Sequence, residues 1–279
     1  MLLKPMDLDN YLTEKKIIKT SMRIGADRNI SEKIVDKIEE KLYDGISTKN
    51  ILQSIFKFLS VYKPTTKHLL DLKKGLSMMD SKPEFERFVQ ILLRENGYEV
   101  TPNQMIRGKC VEYEVDAIAK KDDVTYIVEA KHHSKYHIPT GLDETRIARA
   151  VFEDITEGFD LGLNNLNVNN AMIVTNTKFS EHARRYGKCR NIQQIGWSRP
   201  QYKSLQDIIE KYILHPYTCL KGLDKDLKRK LVDEGILLMK QLSQEKPEKL
   251  ANKIGVSTSK LKNIIKNAKT CTNTLYHPK

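Results

Sequence analysis

The stretch EVDAIAKKDDVTYIVEAK, residues 114–131, reads as two short alternating strands around a charged corner. Side chains alternate along a strand, so Glu112, Glu114 and Asp116 share one face, and Val111, Tyr113, Val115 and Ala117 the other. In the second run Glu129 and Lys131 share a face, with Val128 and Ala130 opposite. A two-residue turn at Asp122-Asp123 pairs Lys121 with Val124 and sets Asp116 directly opposite Glu129. Facing positions hold their Cβ atoms about 5 Å apart, near enough for both carboxylates to grip one divalent ion. Asp-Asp is a poorer tight turn than Asn-Gly, which leaves room for a slip; a two-residue slip keeps the same faces matched.

A solvent-exposed sheet face is the simple explanation for these charges. Two carboxylates directly opposite repel each other, however, which argues against surface decoration. A hard cation such as Mg²⁺ removes the conflict by taking both oxygens and keeping several waters. Lys131 points into the same site, where it can orient a water or offset charge on a phosphate. Carboxylate, carboxylate and lysine on one strand face is the chemistry of phosphodiester hydrolysis.

Upstream, EFERFVQILLRENGYEV is an amphipathic helix (Phe85, Phe88, Val89, Leu92, Leu93) stopped by Gly97 and followed by a strand. Downstream, RIARAVFEDI is helical, AMIVTN (171–176) is a short apolar strand, and a further strand lies near IQQIGW (192–197) before a helix at Leu205–Ile213. Helix, strands, helix, strand, helix, strand, helix describes a layered α/β unit around a central sheet.

Asp116 followed by Glu129-Ala130-Lys131 resembles the PD-(D/E)xK nuclease motif, with Val115 where many members have proline. The preceding helix is similar to the first helix of the Mrr-like branch, in which a glutamate after an aromatic residue, here Glu86, completes the acidic cluster. The likeness runs through GKCVEYEVDAIAKKDDVTYIVEAKHH to AMIVTNTKFSEHARRYGKCRNIQQIGW and covers most of residues 83–215. It implies a restriction-endonuclease-like three-layer core with a central mixed sheet over 81–215, flanked by two small all-α domains. It also implies a Mg²⁺-dependent DNA endonuclease, with Mn²⁺ as the alternative ion. Glu86, Asp116 and Glu129 would be the metal ligands and Lys131 the electrostatic catalyst. His132, His133, Thr175 and Asn176 border this site, each with a strand-end or turn-capping role as the alternative; Trp197 reads as a packing residue.

Residues 1–80 read as a small helical domain. Ile30, Ile34, Val35, Ile38 and Leu42 form one stripe and Ile51, Ile55, Phe58 and Leu59 another, with Ser47 or Thr48 placed to cap the second helix. RIGADRNISEKIVDKIEEKLYDGISTKNI resembles the ATP-cone, a nucleotide-binding regulatory domain. That family's opening segment is matched by Lys4, Lys16 and Ile17, and the resemblance makes Lys4 and Lys16 the candidate nucleotide contacts. Pro5 replaces its arginine, Asp7 its glycine and Leu12 its aromatic residue. An aspartate at a phosphate-binding turn repels the ligand, so ATP is expected to bind weakly or not at all.

Residues 216–279 are helical, cut at Gly222, Gly235, Pro247 and Gly255. LANKIGVSTSKLKNIIKNAK resembles a helix-hairpin-helix unit, whose apolar-Gly-apolar corner offers backbone N–H groups to a DNA phosphate. Gly255, Lys253, Lys260 and Lys262 are its candidate DNA contacts, and a structural helical hairpin is the alternative. Charge agrees: residues 217–279 hold 14 Lys+Arg against 6 Asp+Glu, residues 1–80 hold 15 against 11, and the middle is balanced. The strongly basic end suggests a polyanionic partner.

Cys110, Cys189, Cys219 and Cys271 are too scattered for a zinc site or a disulfide framework. No apolar run approaches the roughly 18 residues of a membrane span, and MLLKPMDLDN lacks a secretory pattern, so a cytoplasmic protein with no membrane partner is expected. A homodimer and a nucleotide effector complete the expected partners. Two other readings remain: a non-catalytic DNA-binding or nucleotide-sensing protein keeping the nuclease fold, and a structure-specific nuclease acting on branched DNA or RNA.

Overall fold

The alternating and helical periodicities of the sequence become strands and helices in a computed structural model. It describes residues 8–40 and 46–275, with the backbone alone at 8–13, 48 and 49. Among the described residues the chain opens with α1 (Leu8–Arg23), α2 (Arg28–Glu39), α3 (Thr48–Tyr62), α4 (Leu72–Ser77) and α5 (Glu86–Glu95). The central part follows: β1 (Glu99–Arg107), β2 (Glu112–Lys121), β3 (Val124–Lys131), α6 (Leu142–Asp160), β4 (Asn170–Thr175), α7 (Glu181–Cys189), β5 (Gln193–Ile195) and α8 (Leu205–Tyr212). The chain then runs through α9 (Lys225–Asp233), α10 (Met239–Gln244), α11 (Pro247–Ile254) and α12 (Thr258–Leu275).

These elements form two compact units. One contains residues 70–219 and 223–239, the other residues 1–69, 220–222 and 240–279. The expected central segment 81–215 thus lies wholly in the first unit, and the flanking segments 1–80 and 216–279 both contribute to the second.

The first unit is built on a mixed five-stranded sheet in the order β1-β2-β3-β4-β5. β1, β2 and β3 pair antiparallel, and β3, β4 and β5 parallel. The parallel step from β3 to β4 uses α6 as its crossover, as a parallel connection requires. On one face Ala117, Ala119, Val128, Ala130, Met172 and Val174 pack against Phe88, Leu92 and Leu93 of α5 and Leu205, Ile208 and Ile209 of α8. On the other, Val115, Ile127, Ala171 and Ile173 pack against Ala148 and Ile155 of α6 and Ala183 of α7. Helices, sheet, helices: the three-layer α/β architecture expected from the sequence is present. Ala171 to Thr175 are all buried, as befits a strand covered on both faces. Each such aliphatic side chain contributes roughly 1.5–3 kcal/mol.

In the second unit, Ile17, Ile34, Val35, Ile38, Ile55 and Leu59 make the core expected from the two apolar stripes, with Ile30, Ile51 and Phe58 packed partly against it. Asp27 caps α2 by accepting from the Ile30 N–H at 2.8 Å, and Ser47 caps α3 by accepting from Asn50 at 3.2 Å. The end of α12 belongs to the same unit: Thr274 Oγ1 lies 2.9 Å from Thr65 Oγ1. A Cβ on Gly25 would meet the Thr274 backbone, so only glycine fits that turn, which also needs φ +101°. Leu42, and the residues Lys4, Pro5 and Asp7 of the ATP-cone comparison, lie outside the described residues.

Candidate active site

The β2–β3 hairpin turns on Asp122 and Asp123, both left-handed at φ 50° and 61°. Two positive φ angles make the mirror-image turn whose twist matches the strands, and aspartate tolerates that region better than most residues. The turn pairs Lys121 with Val124, and the ladder continues to Ala117 opposite Val128. This is the register expected from the sequence, with Asp116 next in line towards Glu129.

Asp116 itself is left out of pairing on both sides: the ladder with β3 ends at Ala117, and the ladder with β1 passes over Asp116 and resumes at Val115. Towards β1, the ladder passes from Pro102↔Ala117 to Gln104↔Val115, skipping Asn103, which is left-handed at φ 35°. The strand's alternation changes phase here, since Val115 and Ile118 pack on the α6 side while Ala117 and Ala119 pack on the α5 side. Regular alternation on one face through Glu114 and Asp116 therefore does not continue along β2. Such irregularities commonly re-aim a side chain near an active site.

Side chains satisfy what the ladder leaves open. The Ala130 N–H donates to Asp116 Oδ2 at 2.7 Å. Gln90 Nε2 donates to the Asp116 carbonyl at 2.9 Å and to Asn103 Oδ1 at 3.0 Å. Asn103 Nδ2 reaches Glu86 Oε2 at 3.4 Å. Glu86 and Gln90, four residues apart on α5, thus present one face of that helix to the break in the sheet.

Glu86 and Asp116 are nearly buried, at 4% and 5% exposure. Burial pushes the Asp116 carboxyl above the usual carboxylate range; the Ala130 hydrogen bond opposes this, and the charges of Glu129 and Glu86 add to it. Lys82 answers that charge. Its ammonium lies 3.1 Å from Glu86 Oε1, 3.8 Å from Glu114 Oε2 and 3.9 Å from Asp116 Oδ1. The hydrogen bond to Glu86 raises the Lys82 pKa. Lys131 points to the side of Glu129, with Nζ 3.3 Å from Oε1. A cavity of about 60 Å³, lined in part by Glu129, Lys131, Ile127 and Ile147, adjoins this pair.

Among the described residues no three acidic, histidine or cysteine side chains form a ready-made metal cage. What the site offers is two buried carboxylates, from Glu86 and Asp116, converging on one positive charge, with Glu129 acting on Asp116 electrostatically. Hard oxygens in that number fit Mg²⁺ or Mn²⁺, which retain waters and take the remaining positions from substrate phosphate.

The neighbouring residues have structural partners. His132 donates from Nε2 to the Leu76 carbonyl, 3.0 Å away, and packs on Phe85. His133 Nε2 lies 3.1 Å from Thr140 Oγ1, which also meets the hydroxyls of Thr175 and Thr177 at 2.9 Å. Burial lowers the pKa of both histidines. Asn176 clamps the His133 backbone from both ends: its Oδ1 accepts from the N–H and its Nδ2 donates to the carbonyl, each at 2.8 Å. Trp197 packs partly against the α5-side core. Lys82, Gln90 and Asn103 were not singled out in the sequence; the four-residue spacing Lys82–Glu86–Gln90 is the signal that could have found the first two, and Asn103 has no such signal.

In the other unit, Gly255 is the left-handed C-cap of α11 at φ 63°, and an added Cβ there would meet nothing. Ser257 Oγ accepts from the Lys260 N–H at 3.4 Å. Lys253, Lys260 and Lys262 are exposed, and Lys262 pairs with Glu248 at 3.1 Å. Lys16 is exposed on α1.

Two family descriptions match this chain: "Restriction endonuclease" over residues 76–196 and "AF1548-like, C-terminal" over residues 215–271. An uncharacterized protein of Archaeoglobus fulgidus is 35% identical over 179 residues, covering 64% of this chain and 96% of that protein. The chain belongs to the AF1548-like family. The crystal structure of AF1548, a protein of unknown function, is 31% identical and covers 73% of this chain and 99% of its own, with a TM-score of 0.59. This AF1548-like chain therefore carries a restriction-endonuclease-like domain, a nuclease-type fold, and Glu86, Asp116, Glu129 and Lys131 all fall within it. Residues 215–271 match the family's C-terminal part. Among the described residues no helix is long and apolar enough to cross a membrane.

Proposed function

We propose that the protein is a divalent-metal-dependent endonuclease that hydrolyses phosphodiester bonds in DNA. The observation that carries this reading is the break in the sheet at Asp116, where Lys82 bridges Asp116 and Glu86, Glu86 and Glu129 both act on Asp116, and Lys131 lies beside Glu129. Asp116, Glu129 and Glu86 would hold Mg²⁺ or Mn²⁺. When bound, the ion supplies Lewis-acid polarisation of the phosphate and a more acidic water.

The chain's own residues do the rest. The Ala130 N–H and Gln90 hold Asp116 in place, so its free carboxylate oxygen keeps a fixed direction. Lys131 offers a positive charge to the phosphate oxygens as charge accumulates there. Water adds to phosphorus, the bond to the leaving oxygen breaks, and that oxygen takes up a proton. At the C-terminal end, the corner at Gly255 and the lysines Lys253, Lys260 and Lys262 would contact DNA phosphates without reading bases, in the manner of a helix-hairpin-helix. The amino-terminal helices keep the cone-like pattern without its phosphate-binding turn, so ATP would bind them poorly.

The test is a cleavage panel of linear, nicked, branched and methylated DNA together with RNA, in EDTA, Mg²⁺ and Mn²⁺. Metal-dependent DNA cleavage lost in Asp116→Ala, Glu129→Ala and Lys131→Ala is the expected result. Equal rates for wild type and Lys131→Ala on every substrate would overturn the assignment, and exclusive cutting of RNA would change the substrate class.

A further inference from the structure

Lys82 precedes α5 in extended backbone, at φ −126° and ψ 137°. Its ammonium sits where Glu86 Oε1 and Asp116 Oδ1 converge, at 3.1 and 3.9 Å, with Glu114 Oε2 at 3.8 Å. The Glu86 and Asp116 side chains are only 5% and 7% exposed, whereas that of Lys82 is 63% exposed. Two carboxylates withdrawn from water need a compensating cation, and among the described residues Lys82 is the one that reaches both. Lys131 is engaged with Glu129 instead. The two lysines therefore have different jobs.

Resting on the metal reading above, we infer that Lys82 stands in for the divalent ion between Glu86 and Asp116 and is displaced when that ion binds. The mechanics favour exchange. A lysine carries a compact charge on a flexible four-carbon stem, and an exposed one can swing into water without opening the core. Once displaced, its ammonium stays at the mouth of the site, where the partner chemistry it suits is a phosphodiester oxygen of the incoming strand. The empty site is thus charge-compensated, and ion binding has to compete with a tethered cation.

Mn²⁺ binding to the full-length protein, read from the loss of the free-ion electron paramagnetic resonance signal, tests this without any cleavage assay. Lys82→Gln should bind Mn²⁺ about five- to tenfold more tightly than wild type, as expected from removing a like charge and ion pairs whose lysine end is exposed. Lys82→Arg, which keeps the charge, should stay within about twofold of wild type. Asp116→Asn should abolish the site in every background. Unchanged or weaker binding in Lys82→Gln, with Asp116→Asn still abolishing it, would overturn the role of Lys82 while leaving the metal reading intact. Mn²⁺ binding indifferent to Asp116→Asn would remove the metal reading itself, and this inference with it.

Discussion

The backbone N–H of Ala130 donates to Asp116 Oδ2 at 2.7 Å, tying the acidic residue of β2 to the middle of the Glu-Ala-Lys triplet on β3. The carboxylate occupies the place of a ladder hydrogen bond. One of its oxygens is thereby a structural acceptor, and the other faces Lys82.

That division of labour separates two substitutions. Asp116→Asn keeps an acceptor for Ala130 and removes a buried charge, so stability should hold within about 1 kcal/mol while metal binding is lost. Asp116→Ala leaves the Ala130 N–H unpaired and should cost about 1–3 kcal/mol. Urea denaturation of both variants, with Mn²⁺ titration in parallel, checks the pair; equal destabilisation would mean that the hydrogen bond contributes little.

Asn176 should hold the end of β3, since it meets both backbone polar groups of His133, two residues beyond Lys131. Asn176→Ala strips two hydrogen bonds from a residue with no measurable exposure, and a loss of about 2–4 kcal/mol is expected. Amide hydrogen exchange at His133 should accelerate in this variant more than exchange within β3. A uniform change across the sheet would point to global destabilisation instead.

How much of this was legible follows from which interactions are periodic. The register of β2 on β3 could be read from alternation and a two-residue turn, because one slip would move every side chain to the wrong face. The helices of both flanks could be read from their apolar stripes and from caps such as Ser47. The interruption at Asp116 could not, since it depends on Gln90 and Asn103 approaching from other elements. Nor could the joining of residues 240–279 with 1–69 in one unit, which rests on long-range pairings such as Thr65 with Thr274. Lys82 illustrates the same limit: its spacing to Glu86 was visible, whereas its reach to Glu114 and Asp116 is a property of the fold.

For the basic C-terminal helices, substitution is a sharper probe than deletion. Tyr217 to Cys219 are buried, and the Thr218 hydroxyl donates to the Gly75 carbonyl at 2.8 Å, so cutting the chain at 217 would damage the sheet-bearing unit. Lys253→Gln, Lys260→Gln and Lys262→Gln combined should leave folding intact and weaken DNA binding. The log–log salt slope should fall by up to roughly 2.7, about 0.9 for each phosphate that is no longer neutralised. An unchanged slope in fluorescence anisotropy would show that these lysines face no phosphate.

His215 supplies the pH-dependent expectation. It is 8% exposed, its Nδ1 finds no hydrogen-bond partner among the described residues, and burial alone lowers its pKa to about 4. In the unfolded chain the imidazole titrates near its ordinary value of about 6.5. Above that pH both states are neutral at this residue, and it imposes no pH dependence. As pH falls from about 6.5 towards 4, the unfolded chain takes up a proton that the folded protein refuses. Stability must therefore decline with acidification across that window, by about 3 kcal/mol in total, and this group adds nothing further below it. His215→Leu removes the titration while keeping an apolar side chain of comparable size. The difference in unfolding free energy between wild type and His215→Leu, followed by urea denaturation from pH 7.5 to 4, should shift by that amount in favour of the variant. A difference that stays constant with pH would mean that the folded protein accommodates the charged imidazole, and that this site is less dry than its burial implies.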